Sequence, residues 1–241
     1  MTEGAKDRIP PAKEIVRAIP KSLEPNAKDG PRFPTITKEE AIELAKAGWE
    51  RIGVIVLLRN PQGQVLVVVH GPGNPKVPEN MMGLISETCK IEADGLEQPL
   101  AAISRLFTEE LELTLEEIKS LNLQAVRHGA WQNAAFPLGG NRDALGLVVV
   151  LEADQSSVDT IIRRGAQLSP RSEIKYVSFM YPDPLAHRAP VTENFRPGIT
   201  DAVIAALEDL TTNLPKSRVD FPAPRKPSSR ATEDLKDLLP Q

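Results

Sequence analysis

A single cysteine, Cys89, occurs in 241 residues, which excludes an internal disulfide and a metal site built from clustered thiolates. Histidine is scarce as well: His70, His128 and His187 are too scattered to propose as a zinc site or a catalytic base, and only His70 lies beside a Gly-Pro loop. Ser86, Ser169 and Ser172 have no G-x-S-x-G setting, so a serine-nucleophile enzyme is excluded. Positive charge is not in excess. With 29 Lys and Arg against 33 Asp and Glu, the net charge of −4 leaves no basic footprint, and no nucleic-acid partner is expected. Long apolar runs are missing too. Val65–Val69 and Leu145–Leu151 fall far short of the ~20 residues that span a bilayer, so no membrane partner is expected. With no signal-peptide pattern, the expectation is an intracellular, cytoplasmic protein. Aromatic residues make up only 4%, and Trp131 and Phe136 read equally well as base-stacking residues at a sheet rim or as core.

Proline is plentiful, with 22 in the chain, and it gathers at the ends. Residues 1–34 hold Pro10, Pro11, Pro20, Pro25, Pro31 and Pro34 among scattered charges, and read as a flexible segment or one draped over a domain, with a short helix over Ala12–Ala18. Residues 35–212 read as one domain with a leading helix. Residues 213–241 turn to Pro, Arg, Lys and Ser and read as a disordered tail, apart from an amphipathic patch at Glu233–Leu239 that offers a docking point for a protein partner.

Within the domain, Thr37-Lys38-Glu39-Glu40 is a capping-box pattern that starts a helix running to Ala47, where Gly48 ends it. Arg51–Leu58 and Gln64–His70 read as a hairpin of buried strands around the turn Asn60-Pro61-Gln62-Gly63. The Gly71–Pro78 loop, rich in Gly and Pro, suggests the lip of a site. Leu84–Thr88 reads as a short strand. Leu121–Trp131 and Leu145–Glu152 form a second hairpin, with a turn at Gly139-Gly140-Asn141. A helix over Ser156–Arg164, capped by Ser156 or Ser157, then leads to a strand over Ile174–Met180. A last amphipathic helix is expected over Thr200–Leu210, with Val203, Ile204 and Leu207 inward.

The stretch from Gly95 to Leu113 organises the rest. Pro99 suits a first helical position, because its missing N–H would have no partner there. Ile103, Phe107 and Leu111 share one apolar face, whereas Leu106, Glu109 and Glu110 share another, with Arg105 one turn before Glu109. The spacing Glu97-x7-Arg105-x3-Glu109-Glu110 resembles the signature helix of Nudix hydrolases, G-x5-E-x7-R-E-U-x-E-E-x-G-U with U a bulky aliphatic residue. Three positions depart from that pattern: Leu106 stands where the family has its first helical glutamate, Glu112 replaces the second glycine, and Ile91 replaces the leading one. The order of hairpin, loop, short strand, acidic turn and Arg/Glu-Glu helix also matches the family.

The resemblance implies a Nudix-type α/β/α sandwich with a mixed sheet. It further implies hydrolysis of a nucleoside diphosphate linked to another moiety, dependent on magnesium or manganese. Glu97, Glu109 and Glu110 would ligate the metal, Arg105 would orient the acids, and Glu109 or Glu110 would assist the attacking water. Magnesium takes oxygen ligands and offsets the charge of a pyrophosphate, which is why paired carboxylates suit this chemistry. Glu87, Glu92 or Glu173 would compensate for Leu106. The alternative is a Nudix-fold module, monomeric or a homodimer, that binds a nucleotide-type small molecule or a protein without hydrolysing it. An acidic substitute near Leu106 favours the enzyme, and an apolar lining favours the binder.

Overall fold

The computed structural model describes residues 19–23, 33–73, 77–133, 144–181 and 216–240, with only the backbone of 127–133. The expected helices over Ala12–Ala18 and Thr200–Leu210, the turn at residues 139–141 and His187 lie outside these residues, as do the side chains of His128, Trp131 and Phe136.

Helix α1, Lys38–Lys46, opens on the expected capping box: Glu40 N–H donates to Thr37 Oγ1 at 3.1 Å, and Thr37 N–H to Glu40 Oε2 at 2.8 Å. Gly48, at φ +90°, follows its end. Strands β1 (Arg51–Arg59) and β2 (Val65–His70) come next. They meet in register at Arg59 and Val65. Short strands β3 (Met82–Gly83) and β4 (Ile85–Thr88) lead to a small hairpin of β5 (Ile91–Glu92) and β6 (Gly95–Leu96). Helix α2 spans Pro99–Glu109. A short helix α3, Leu115–Ser120, was not anticipated, although Thr114-x-x-Glu117 forms a capping box. Strands β7 (Leu123–Asn133) and β8 (Ala144–Ala153), helix α4 (Gln155–Gly165), strand β9 (Ile174–Met180) and the two-residue β10 (Ser217–Arg218) complete the described elements. Asp154 rather than a serine caps α4, its Oδ1 accepting from Ser157 N–H at 2.8 Å.

The strands form a mixed sheet in the order β10-β7-β8-β1-β2-β3, with β4 paired to β1 and β9 to β2. The pairing of β1 with β8 is parallel over nine residue pairs, whereas the other pairings are antiparallel. Both central strands read as continuous apolar runs, as strands covered on two faces do. Alternate residues Ile52, Val54, Val56 and Leu58 of β1 join Leu145, Leu147, Val149 and Leu151 of β8 in a core shared with all four helices. The intervening Ile55, Leu57, Val148 and Val150 are also buried. This is the expected mixed α/β architecture.

The described residues of both end segments pack on the domain more than composition suggests. Leu23, within the nominally flexible N-terminal segment, is fully buried in the core. The tail expected to be disordered runs across the domain. Val219 N–H donates to Leu123 O at 2.9 Å, the Phe221 ring lies 5.5 Å from that of Phe107, and Thr232 and Ile91 exchange backbone hydrogen bonds of 2.8 and 3.0 Å. A 3-10 turn at Leu235–Leu238 seats Leu235 in the core. The physical reason is that a handful of apolar side chains at wide spacing, Val219, Phe221 and Leu235, suffices to anchor an otherwise polar strap. Its amphipathic patch docks on its own domain.

Candidate active site

Helix α2 starts at Pro99, as its sequence predicts, with Gln98 in the capping position. Gln98 ties the helix start to the segment before α1, accepting from Ile36 N–H at 3.0 Å and donating to Ile36 O at 2.9 Å. Ser104, Arg105, Leu106 and Phe107 are consecutive and all buried, so this half of the helix is enclosed nearly all round. Ser104 Oγ donates to Pro222 O at 2.6 Å.

Arg105 is the centre of the site, with a side chain only 2% exposed. Its Nε donates to Glu97 Oε1 at 3.1 Å, and its Nη2 to Glu97 Oε2 at 2.8 Å and to Thr88 O at 2.9 Å. Its Nη1 lies 2.9 Å from Glu87 Oε2 and 3.2 Å from Glu109 Oε2. Burial by itself would lower the Arg105 pKa, but the hydrogen bonds to Glu97 and the charges of Glu87 and Glu109 hold it above its ordinary value. Glu87 behaves differently. Burial pushes its carboxyl above the usual carboxylate range, outweighing the attraction of Arg105. Cys89, also buried, has its thiol pushed up and is no nucleophile.

The fold brings Glu97, Arg105 and Glu109 together, and of the three acids expected to substitute for Leu106 it places Glu87 beside them. The other two substitutes lie elsewhere: Glu92 Oε1 accepts from Ser228 N–H at 2.9 Å, and Glu173 is exposed on the approach to β9. His70 is buried at the end of β2 rather than open at a mouth, and the loop beyond it is pinned to the chain before β9, with Gly71 N–H donating to Glu173 O at 2.8 Å. Glu110 is half-buried at the end of α2, where its N–H donates to Leu106 O. Glu112 has φ +52°, a left-handed conformation that favours glycine, and its carboxylate accepts from Ser169 N–H at 3.1 Å. Ile91, at the leading-glycine position, pairs with Thr232 instead.

A divalent metal does not fit these side chains as they stand. Both Glu97 oxygens face Arg105, and Oε2 also accepts from Lys90 N–H at 3.0 Å. Leu106 is fully buried in the apolar core, not beside Glu109 on an open face. Among the described residues no group of three or more His, Cys, Asp or Glu side chains is placed to hold a metal ion. At the opposite end of β1, a groove of about 550 Å³ is lined by Arg59, Asn122, Glu152, Asp154 and Lys216, but Arg59 and Lys216 both pair with Glu152.

No family model matches the sequence, and no curated protein matches it. Solved structures similar to it include a protein from Deinococcus radiodurans, at 19% identity and a TM-score of 0.44 over 65% of this chain and 83% of that one. The MutT protein from Methanosarcina mazei Go1 is similar at 13% identity and a TM-score of 0.41, over 67% and 96% of the two chains. A Nudix hydrolase from M. smegmatis is similar at 15% identity and a TM-score of 0.43, over 69% and 88%. Among the described residues no helix is long and apolar enough to cross a membrane.

Proposed function

We propose that this chain is a Nudix-type domain that binds a nucleotide-type ligand without hydrolysing it through a divalent metal. The observation that carries this reading is Leu106. The position at which Nudix hydrolases place their first helical glutamate is here a fully buried core residue, so a carboxylate is missing and the space it would need is filled with hydrocarbon. Glu87, Glu97 and Glu109 are organised around a guanidinium instead, and Arg105 already supplies the positive charge that a cation would bring. The nucleotide-type ligand rests on the resemblance of the α2 stretch and of the order of elements around it.

A second reading, a magnesium-dependent pyrophosphohydrolase acting on a nucleoside diphosphate linked to another moiety, has one observation in its favour. The Glu109 side chain is 47% exposed, and it and Glu87 reach the same Arg105 nitrogen, so two carboxylates converge beside the end of α2. A panel of nucleoside diphosphate derivatives, assayed for released nucleoside monophosphate with magnesium or manganese and for thermal midpoint without metal, separates the two. The proposal expects at least one ligand to raise the midpoint in the absence of metal, with no nucleoside monophosphate released above the level of the Glu109→Gln, Glu110→Gln variant. Metal-dependent release that this variant abolishes would establish the hydrolase.

A further inference from the structure

The strap formed by residues 216–240 meets the stretch before the acidic turn at Lys90, Ile91 and Glu92. Lys90 Nζ meets Glu233 Oε1 at 2.5 Å, while the Lys90 main chain holds Glu97 from both sides: Lys90 N–H donates to Glu97 Oε2 at 3.0 Å, and Glu97 N–H donates to Lys90 O at 2.7 Å. Glu97 in turn holds Arg105. The run Glu233, Lys90, Glu97, Arg105 is thus a continuous polar chain from the tail to the centre of the site.

Over residues 228–240 the strap's own hold is concentrated in few places, with Leu238 and Leu239 packed partly buried against the core. Leu235 is its fully buried side chain, and Leu235 N–H donates to Glu50 O at 2.9 Å. Its other anchors near the turn are partly exposed ion pairs, Glu233 with Arg51 at 2.8 Å and Lys236 with Glu50 at 2.9 Å, together with the Ile91–Thr232 bridge. Elements held by few apolar contacts and by solvent-facing charges open before the core does.

We propose that residues 228–240 of the strap open as a unit while β10 stays paired in the sheet, and that their docking holds Glu97, and through Glu97 the Arg105 guanidinium, in place. The site is then ordered or loosened by whatever binds or releases the tail. This coupling does not depend on whether the site hydrolyses its ligand or only binds it.

Native-state hydrogen exchange on the full chain tests it. The amides of Lys90, Ile91, Glu97, Thr232 and Leu235 are expected to share one opening transition, distinct from that of the β1 and β8 amides. Leu235→Asp should accelerate exchange at the other four at least tenfold while leaving β8 unchanged. Glu233→Gln, which keeps the apolar anchor, carries the test if Leu235→Asp does not fold, and should accelerate the same amides several-fold. Lys90→Met should reproduce the effect at Glu97, and Lys90→Arg should restore protection there. Wild-type protection at Lys90 and Glu97 in the strap variants would overturn the coupling. Exchange of all five amides together with β8 would overturn the separate opening.

Discussion

Leu106 decides what the rest of α2 can do. A carboxylate placed there would enter the core without a partner, and an uncompensated buried charge costs about 3–5 kcal/mol. Leu106→Glu is therefore expected to lower stability by that order in denaturant unfolding, while Leu106→Met, which conserves volume, should stay within ~1.5 kcal/mol of the parent. A Leu106→Glu variant of parental stability would return the residue to an open face. Glu87 offers a test by titration. Its folded-state pKa is raised above the ordinary 4.5, so the folded protein binds this proton more tightly than the unfolded chain does. The group's contribution is fully present below 4.5 and is lost as pH rises through the raised value. The stability difference between the parent and Glu87→Gln should thus shift against the parent as pH rises from 4.5 through the raised value, and level off above it. A flat difference would mean that Arg105 cancels the effect of burial. The pairing of Arg105 with Glu109 was legible from spacing, since residues four apart share a helix face, whereas its link to Glu97 came from the resemblance.

Elements were legible where one physical cause dominated them. The capping box of α1, the proline opening α2 and the uniform apolar runs of β1, β2 and β8 each name their own structure. The facing of α2 was not, because periodicity assumes a single buried face. With Phe221 lying against Phe107 and Pro222 over Ser104, α2 is buried along two arcs, and Leu106 falls in the core where the spacing had put an open acidic face. The approach of α4 to β9 is also set by tertiary contact. A Cβ on Gly165 would lie 2.2 Å from Val177 Cγ2. Ala is the better helix former by up to ~1 kcal/mol, yet overpacking costs ~1–3 kcal/mol, so Gly165→Ala should destabilise. Adding Val177→Ala should recover part of that loss in the same unfolding measurement. A stabilised single variant would show that α4 is free to move off the sheet.

For the molecule as a whole, composition identified the order of the domain but not how its ends are used. Proline and charge predict poor packing, and the described end residues depart from it where apolar anchors intervene; Leu23 and Leu235 are such anchors, and single residues of this kind leave no periodic signal. What emerges is a mixed α/β domain whose acidic cluster is closed around its own arginine and backed by its own tail. Calorimetric titration of magnesium and of manganese into the full chain tests that claim most directly. The closed cluster predicts no saturable heat through the millimolar range, with the parent indistinguishable from the Glu109→Gln, Glu110→Gln variant. Saturable, stoichiometric binding that this variant abolishes would contradict it and place a metal where Arg105 now stands alone.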